Sequence, residues 1–398
     1  MTYTQTGRII KMTGGLYTVR LDAMGSDGGP AGSPLAGQTV ECRARGTFRH
    51  EQMTPLVGDL VEVQYDDTSF AETDGVILPS ADRTGLVIHD ILPRKNSLIR
   101  PPLANLDMML VVIAAASPDP DIPTVDKLLS ILEFNGIEPV IVVGKCELSP
   151  KRAAKIAALY EKVGYRTFVL SCYTGEGLEA FSEFVHTALR GKITTVAGAS
   201  GAGKSTLLNT VFKGLDLTTG DISEKIGRGK NTTRHTELFD LPGTDSGFIA
   251  DTAGFSLLDF ERFDFFELED LPHTFREFAP YLCKCRYTDC THVSDEECAI
   301  LDAVAKKEIS PIRHASYKEL YATLKDKKKY KSHPHGYMHG TLCRIRIFYE
   351  AYDRLGHPWM CPRLQGSAGC LRRLGSGATD PLGRHPLPWP PQRSARGV

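Results

Sequence analysis

The sequence lacks any long hydrophobic run. The longest one extends from Met108 to Ala116, far short of the ~20 apolar residues that a membrane-spanning helix needs. The first residues, MTYTQTGRII, contain no basic segment followed by an apolar stretch, so they do not predict an export signal. We therefore expect a cytoplasmic protein that is not bound to a membrane.

The chain also lacks an excess of charge of either sign. Its 47 Lys and Arg residues are balanced by 48 Asp and Glu residues, for a net charge of -1. This balance excludes a strongly basic overall field, so any contact with nucleic acid has to come from local patches. Hydrophobic residues make up 41% and charged residues 24%, which excludes disorder throughout. At about 100–200 residues per domain, the 398 residues predict more than one domain.

Cysteine is scarce outside one cluster, in which four of the ten cysteines lie between Cys283 and Cys298. In a reducing compartment such a cluster is typical of a metal site rather than a disulfide framework. Cys285, Cys290, His292 and Cys298 supply three thiolates and one imidazole, the closed tetrahedral set of structural Zn²⁺. Cys283 is a spare thiol, and its replacing Cys285 as a ligand is a less favoured alternative. A redox pair of Cys283 and Cys285 is the alternative, but it leaves the other three residues unexplained.

The first 97 residues consist of short apolar segments separated by glycine-marked turns. These segments, GRIIKM, GLYTVRL, TVECRARG, DLVEVQY and GVILPS, predict a small β-barrel of five strands. Arg43, Arg45 and Arg49 surround Phe48, a combination suited to contact with RNA backbone and bases. A solvated barrel edge, in an adaptor that touches no nucleic acid, is the alternative interpretation.

From about residue 98 the pattern changes to buried strands that alternate with amphipathic helices. MMLVVIAAAS, PVIVVGK and TFVLSC are strand segments, and DKLLSILEFNG and KRAAKIAALYEKVG are helical segments between them. This alternation predicts a parallel α/β sheet. Ligands of such sheets bind beyond the carboxyl ends of the strands.

A phosphate-binding loop follows the strand ITTVA and precedes the helix LLNTVF. Backbone N–H groups of such a loop turn toward phosphate, and the helix N-terminus adds a positive dipole. Lys204 is suited to neutralise the β- and γ-phosphates, and Ser205 to ligate Mg²⁺. The predicted nucleotide contacts are Gly198, Ala199, Ser200, Gly201, Ala202, Gly203, Lys204, Ser205 and Thr206.

Two segments after this loop predict the rest of the triphosphate site. In the polar stretch 227–235, Thr233 can sense Mg²⁺ and the γ-phosphate through its hydroxyl group. A strand GFIA leads to Asp251, which can hold Mg²⁺ through water, and Gly254 can offer its N–H to the γ-phosphate. The competing string 240–243, DLPG, is predicted to be a turn because no buried strand is expected before it.

Two candidate guanine-binding loops lie upstream of the phosphate loop rather than downstream, so their order is permuted. In the first, Gly144 precedes Lys145, which can lie along the base, and Glu147 can accept hydrogen bonds from guanine N1 and N2. In the second, Ser171 precedes Cys172, whose N–H can reach O6. A carboxylate facing two base donors distinguishes guanine from adenine.

Together with this order, the segments RPPLANLD, GASGAGKST, DISEKIGRGKNTT and DTAGF and the cysteine cluster resemble the circularly permuted GTPases of the ribosome small subunit-dependent GTPase A family. The resemblance runs from Gly7 to about Tyr321. It implies GTP, Mg²⁺ and Zn²⁺ as cofactors and a role in late maturation of the small ribosomal subunit. Our hypothesis is that hydrolysis is slow in the protein alone and is activated by rRNA of that subunit. A monomer is expected. The implied domains are an N-terminal OB-fold (1–97), a circularly permuted GTPase domain (98–265) and a C-terminal zinc-binding helical module (266–331).

The sequence departs from the family pattern at the guanine loop and at the catalytic position. Gly144 and Glu147 stand where the family usually has Asn or Thr and Asp, which lowers the expected guanine affinity or selectivity. Asn231 stands where members carry a histidine regarded as catalytic, and Phe255 replaces the water-orienting Gln of Ras-like enzymes. His235 is the nearby candidate for water activation. RNA or structural contact is the alternative role of this histidine.

Beyond Tyr321 the resemblance ends. A basic run from Lys325 to Lys331 suits either rRNA phosphate or a solvated helix end. Residues 332–398 are rich in Pro, Gly and Arg and contain no lysine, a composition typical of a disordered extension or of translation in a shifted reading frame. Sequencing the coding DNA across this junction distinguishes the two.

Two alternatives to a GTPase are kept. The first is a guanine-nucleotide-dependent RNA-binding module with little or no hydrolysis. The second is a small-molecule kinase, which needs an acceptor pocket and a lid that the sequence does not indicate. The permuted guanine loops argue against the kinase.

Overall fold

The computed structural model describes residues 2–22, 35–49, 53–66, 70–73, 76–79, 86–98, 102–212, 236–242, 244, 247–252 and 266–326. Every structural statement below concerns these residues. The predictions for Asn231, Thr233, His235 and Gly254, and those for the tail 332–398, lie outside the described residues.

Five strands of the N-terminal region pair into a closed ring. Each strand is hydrogen-bonded to the next, and β4 returns to β1. In β2 and β4, buried and partly exposed residues alternate, because successive side chains of a strand point to opposite faces. In ring order the strands are Thr2–Thr13 (β1), Leu16–Leu21 (β2), Thr39–Ala44 (β3), Val87–Ile91 (β7) and Leu60–Asp66 (β4).

The sequence-based choice of the fifth barrel strand was wrong. The segment GVILPS contributes Val76–Pro79 (β6), which pairs only with Phe70–Thr73 (β5) as a separate two-stranded sheet. The barrel is closed instead by β7, whose Ile88 and Ile91 are buried. β7 is too short to show a clear alternation of apolar and polar residues. Its position in the barrel is therefore set by its pairing with β3 and β4.

The second region is the predicted parallel α/β sheet. Its strand order is β12-β11-β10-β13-β15, and β14 is antiparallel to β15. Every residue of the central strand β10 is buried, as expected for a strand covered on both faces. The strands are Met108–Ala114 (β10), Glu138–Gly144 (β11), Arg166–Val169 (β12), Ile193–Gly198 (β13), Thr236–Asp240 (β14) and Phe248–Thr252 (β15).

Helices connect the parallel strands, as the amphipathic segments predict. Asp121 caps the first helix through its carboxylate, which accepts a hydrogen bond from the Thr124 N–H, and such a cap satisfies a donor that has no partner within the helix. The helices are Ile122–Phe134 (α1), Pro150–Glu161 (α2), Leu178–Ala188 (α3) and Lys204–Val211 (α4).

The barrel and the α/β sheet are continuous. β1 shifts register between Ile9 and Lys11 and then pairs with β14 at Lys11 and Glu237. This pairing joins the two regions into one eleven-stranded sheet. A separate short pair, Ser97–Leu98 (β8) and Leu103–Ala104 (β9), lies between the two regions in the chain.

The C-terminal region is helical. It contains 3-10 helices at Leu268–Thr274 and Arg276–Phe278, followed by Ala299–Ala305 (α5) and Pro311–Lys325 (α6). It packs against α1. Among the described residues, no helix combines the length and hydrophobicity needed to cross a membrane.

Candidate functional site

The topology brings the permuted loops to one edge of the sheet. Gly144 ends β11, Ser171 follows β12, Gly198 ends β13 and Asp251 lies in β15. These strands are parallel, so their carboxyl ends meet at the same edge. The two guanine-loop candidates lie on one side of β10, and the two phosphate-side candidates lie on the other. The order of the motifs along the chain is permuted, but across the sheet the guanine-loop candidates are neighbours and the phosphate-side candidates are neighbours.

The phosphate loop has the shape that phosphate binding requires. Gly198 has a φ of 159°, and a Cβ at this position would lie 2.4 Å from the Val112 carbonyl oxygen. Gly203 has a φ of 99° and immediately precedes α4. Side chains at these two positions would clash or be strained. The backbone therefore approaches β10 closely and presents the α4 N-terminus at the edge of the sheet.

Lys204 holds its positive charge at this loop. Its ammonium donates hydrogen bonds to the carbonyl oxygens of Gly198, at 2.8 Å, and Ala199, at 2.9 Å. Ser205 and Thr206 follow in the first turn of α4. Since the helix dipole and the ammonium both favour negative charge here, the loop is suited to bind phosphate.

The guanine-loop candidate touches the phosphate loop through Lys145. This residue has a left-handed φ of 57°, and its ammonium donates to the Gly201 carbonyl oxygen at 2.7 Å. It also donates to the carbonyl oxygen of Ser117, just beyond β10. Lys145 therefore connects the segments that follow β10, β11 and β13. The segments after β11 and β13 are the predicted guanine and phosphate loops.

Glu147 lies in the 3-10 turn Cys146–Leu148 and is half-buried. Its Oε2 atom is buried and has no hydrogen-bond partner among the described residues. A buried oxygen without a partner costs free energy unless a ligand supplies donors. Guanine N1 and N2 are donors of this kind. Glu147, which stands where the family usually has Asp, thus still provides a carboxylate acceptor.

The second guanine loop is held by its first residue. The Ser171 hydroxyl accepts hydrogen bonds from the backbone N–H groups of Tyr173, at 3.2 Å, and Thr174, at 3.0 Å. Cys172, between them, is partly buried. Next to Glu147, the thiol of Cys146 donates to the Glu176 carboxylate at 3.6 Å. This contact joins the two loops and had no signal in the sequence.

On the phosphate side, the structure describes less of the predicted site. Asp251 lies on β15, which pairs with β13, and its register partner on β14 is Glu237. The expectation that no buried strand precedes the string 240–243 was wrong, since β14 ends at Asp240. A turn does follow β14, because the N–H of Thr244 donates to the Leu241 carbonyl oxygen at 3.2 Å.

The predicted metal ligands converge. The ligand atoms of Cys285, Cys290, His292 and Cys298 all lie within 4.8 Å of one another. His292 Nδ1 lies 3.6 Å from the Sγ atoms of both Cys285 and Cys298. Burial lowers the pKa of His292, which favours the neutral imidazole that can ligate a metal. The exposed Cys283 is not part of this group. Three thiols and one imidazole around one point fit a tetrahedral metal ion.

Helix α6 supports the metal loop, which we define as residues 285–298 with the four predicted ligands. His314 donates from Nε2 to the His292 carbonyl oxygen at 2.8 Å. The Tyr317 hydroxyl donates to the Thr291 carbonyl oxygen at 2.8 Å. These contacts fix the backbone that carries the imidazole, a role that outer residues commonly have around metal ligands. Neither residue was among the sequence candidates.

The same helix anchors the C-terminal region on α1. The Arg313 side chain is only 1% exposed and pairs with Asp126 of α1 at 2.6 Å and with Glu277 at 2.8 Å. Arg276 adds an ion pair with Glu133, also at 2.6 Å. The metal loop is therefore connected through α6 to the helix that precedes the first guanine loop.

Comparison with protein-family models gives two matches. The RsgA N-terminal domain matches residues 6–77, and the RsgA GTPase domain matches residues 91–261. These matches cover most of the barrel strands and the whole α/β sheet, with β7 largely in the gap between them.

Curated relatives match most of the chain. "Small ribosomal subunit biogenesis GTPase RsgA" of Agathobacter rectalis is 39% identical over 326 residues, which cover 82% of this chain and 100% of the relative. The protein of the same name from Geobacillus kaustophilus is 38% identical over 81% of this chain and 98% of the relative.

Solved structures agree with these matches. The crystal structure of YjeQ from Thermotoga maritima has a TM-score of 0.63 and 29% identity, covering 82% of this chain and all of that one. YloQ, described as a circularly permuted GTPase, has a TM-score of 0.59 and 28% identity, covering 98% of its own chain. The loop order, the phosphate loop and these likenesses lead to one conclusion: the chain belongs to the RsgA family of circularly permuted GTPases.

Proposed function

We propose that this GTPase binds the small ribosomal subunit and hydrolyses GTP to GDP and phosphate during late maturation of that subunit, with rRNA as the activator. The observation that carries this proposal is the guanine loop tied by Lys145 to the phosphate loop. It occurs in a chain aligned over nearly the full length of relatives named for small-subunit biogenesis.

The triphosphate is assigned to the loop 198–206. Lys204 neutralises phosphate charge, and Ser205 and Asp251 would hold Mg²⁺, which neutralises charge on the β- and γ-phosphates. Thr233 and Gly254 would contact the γ-phosphate and lose that contact when it is hydrolysed.

The base is assigned to the two loops on the other side of β10. Glu147 accepts from guanine N1 and N2, Lys145 lies along the base, and the Cys172 N–H donates to O6. Gly144 and Ser171 complete these loops. Gly144 leaves room here, since a Cβ at this position would have its nearest neighbour at 3.8 Å. Steric hindrance therefore does not explain why this chain has Gly144 where the family usually has Asn or Thr.

Water activation is assigned to His235, with Asn231 at the usual position of the family's histidine. Neither Asn231 nor Phe255 offers a base, so we expect slow hydrolysis by the isolated protein. Binding of rRNA would raise the rate.

We further propose that the closed β-ring is an OB-fold RNA-binding domain (1–97), followed by the GTPase domain (98–265) and a zinc-binding module (266–331), in a monomeric protein. Arg43 and Arg45 are exposed on this ring and are assigned to rRNA contact. Exposed arginines suit phosphate contact.

Single-turnover hydrolysis of GTP, with and without purified small ribosomal subunits, tests the proposed function. We expect a slow rate alone and a rate at least tenfold higher with subunits, by analogy with the ~10³–10⁵-fold activation that partner groups give other GTPases. ATP serves as the nucleotide control. Equal rates with and without subunits would contradict activation, and tight GTP binding without turnover would favour the RNA-binding module.

Metal analysis of the purified protein tests the zinc assignment. We expect about one zinc per chain, and loss of that zinc in Cys298→Ser. Cys283→Ser is the matched control, because Cys283 is exposed and lies outside the ligand group. A folded wild-type protein without metal would contradict the assignment, as would zinc loss in the control.

A further inference from the structure

The ring joins the GTPase sheet through β1, which pairs with β14 of the β14–β15 hairpin. At one end of this hairpin, Glu237 is paired with Asp251, and Lys11 of β1 forms an ion pair with Glu237 at 2.8 Å. The predicted Mg²⁺ residue Asp251 is therefore one strand away from the ring.

At the other end of the hairpin, Asp240 is paired with Phe248. Arg20 of β2 reaches both residues. Its guanidinium donates two hydrogen bonds to the Asp240 carboxylate, at 2.6 and 2.8 Å, and lies 5.3 Å from the centroid of the Phe248 ring. Arg8 lies 5.9 Å from the same ring. Two hydrogen bonds and a ring contact fix the orientation of a guanidinium much more strictly than a single contact does.

The value of this contact lies in geometry more than in stability. Exposed ion pairs contribute little to folding, and the side chains of Arg20 and Asp240 are 35% and 58% exposed. The two residues lie 220 positions apart in the chain. The contact does, however, join the ring to the strand that directly follows the predicted switch segment 227–235.

We propose that Arg20 is a positioning residue that couples the ring to the nucleotide site. It holds the β14–β15 hairpin through Asp240 and Phe248, so that RNA bound to the ring changes the position of β14, which follows the segment 227–235, and of β15, which carries Asp251. The inference rests on the proposed function. Because coupling between two binding sites is reciprocal, nucleotide bound at the phosphate loop also changes the ring.

The first experiment compares subunit stimulation of single-turnover GTP hydrolysis in the full-length wild type, Arg20→Ala and Asp240→Ala. We expect basal rates within about twofold of wild type and a stimulation factor that falls at least about fivefold in both variants, the lower limit of typical coupling. The double variant R20E/D240R restores the ion pair and should recover part of the stimulation.

The matched control is Arg166→Ala. Arg166 lies on β12, at the far edge of the same sheet, with its guanidinium 5.0 Å from the Phe184 ring centroid. Its removal takes away a similar contact without touching the ring, so stimulation should be unchanged. Full stimulation of Arg20→Ala would overturn the proposal. An equal loss of basal and stimulated rates would also overturn it, by showing a merely structural role.

A second experiment needs no ribosomal subunit. Hydrogen exchange is measured with and without Mg²⁺ and a non-hydrolysable GTP analogue. In the wild type, we expect the analogue to slow amide exchange in β14 and also in β1 and β2, whereas in Arg20→Ala the change should stop at β14. Coupling seen here without subunit stimulation would mean that the proposed function fails and the coupling holds. If the GTP analogue does not change the amide exchange rates in β1 and β2 of the wild type, the coupling is overturned.

Discussion

Replacing Arg313 with alanine is expected to lower the free energy of unfolding by about 3–5 kcal/mol. The guanidinium is 1% exposed and lies between Asp126, whose side chain is 0% exposed, and Glu277, at 10%. Burial raises the pKa of Asp126, against the opposing effect of the Arg313 charge. Without the arginine, two carboxylates remain in a site that solvates them poorly. The C-terminal region should then detach from α1 or the carboxylates should take up protons.

Urea denaturation followed by circular dichroism measures this loss, and Arg152→Ala is the matched control. Arg152 also pairs with an aspartate, Asp119, at 2.6 Å, but the two side chains are 44% and 82% exposed. Exposed pairs contribute about 0–1 kcal/mol, so the control should unfold nearly as the wild type does. If Arg313→Ala were no less stable than the control, the buried pair would not be what anchors this region.

Replacing Glu147 with alanine is expected to remove the preference for GTP over ATP. The carboxylate has a buried oxygen without a partner among the described residues, and we assign this oxygen to guanine N1 and N2. A hydrogen bond to a charged group contributes about 1.5–3 kcal/mol, so GTP affinity should fall at least about tenfold. ATP affinity should change little, because adenine has no donors at these positions.

Titration calorimetry with GTP and ATP measures both affinities. Glu179→Ala is the control, since Glu179 is an exposed carboxylate in the first turn of α3 and has no assigned contact with the base. Glu147→Asp restores the usual family residue and should keep the preference for GTP. An unchanged ratio of GTP to ATP affinity in Glu147→Ala would mean that guanine is recognised elsewhere.

Much of the fold followed from local patterns. The uninterrupted apolar segment of β10 predicted a buried central strand, and the two helical segments predicted α1 and α2. The phosphate loop was predictable because glycine, lysine and serine act within a few residues of one another. The metal ligands were predictable for the same reason, since Cys285, Cys290, His292 and Cys298 all lie in one short stretch.

Errors arose where a segment's neighbours decide its structure. The apolar residues of GVILPS suggested a barrel strand, yet the ring is closed by β7. Likewise, the strand before Asp240 was not expected. In its sequence, TELFD, apolar and polar residues alternate only weakly, and the strand gains its hydrogen bonds from β15 and β1. Strand propensity depends on the surface that a strand joins, and that surface is not encoded locally.

The sequence by itself predicted the central strands and helices of the α/β sheet, and it located the candidate phosphate loop, guanine loops and metal ligands. Only the tertiary structure decided how these parts are joined. Arg313 meets Asp126 across 187 positions, and Arg20 meets Asp240 across 220. The sequence around a single arginine does not predict which distant carboxylate it pairs with. The folded backbone alone brings such distant charges together, and burial then makes the pairing of Arg313 obligatory.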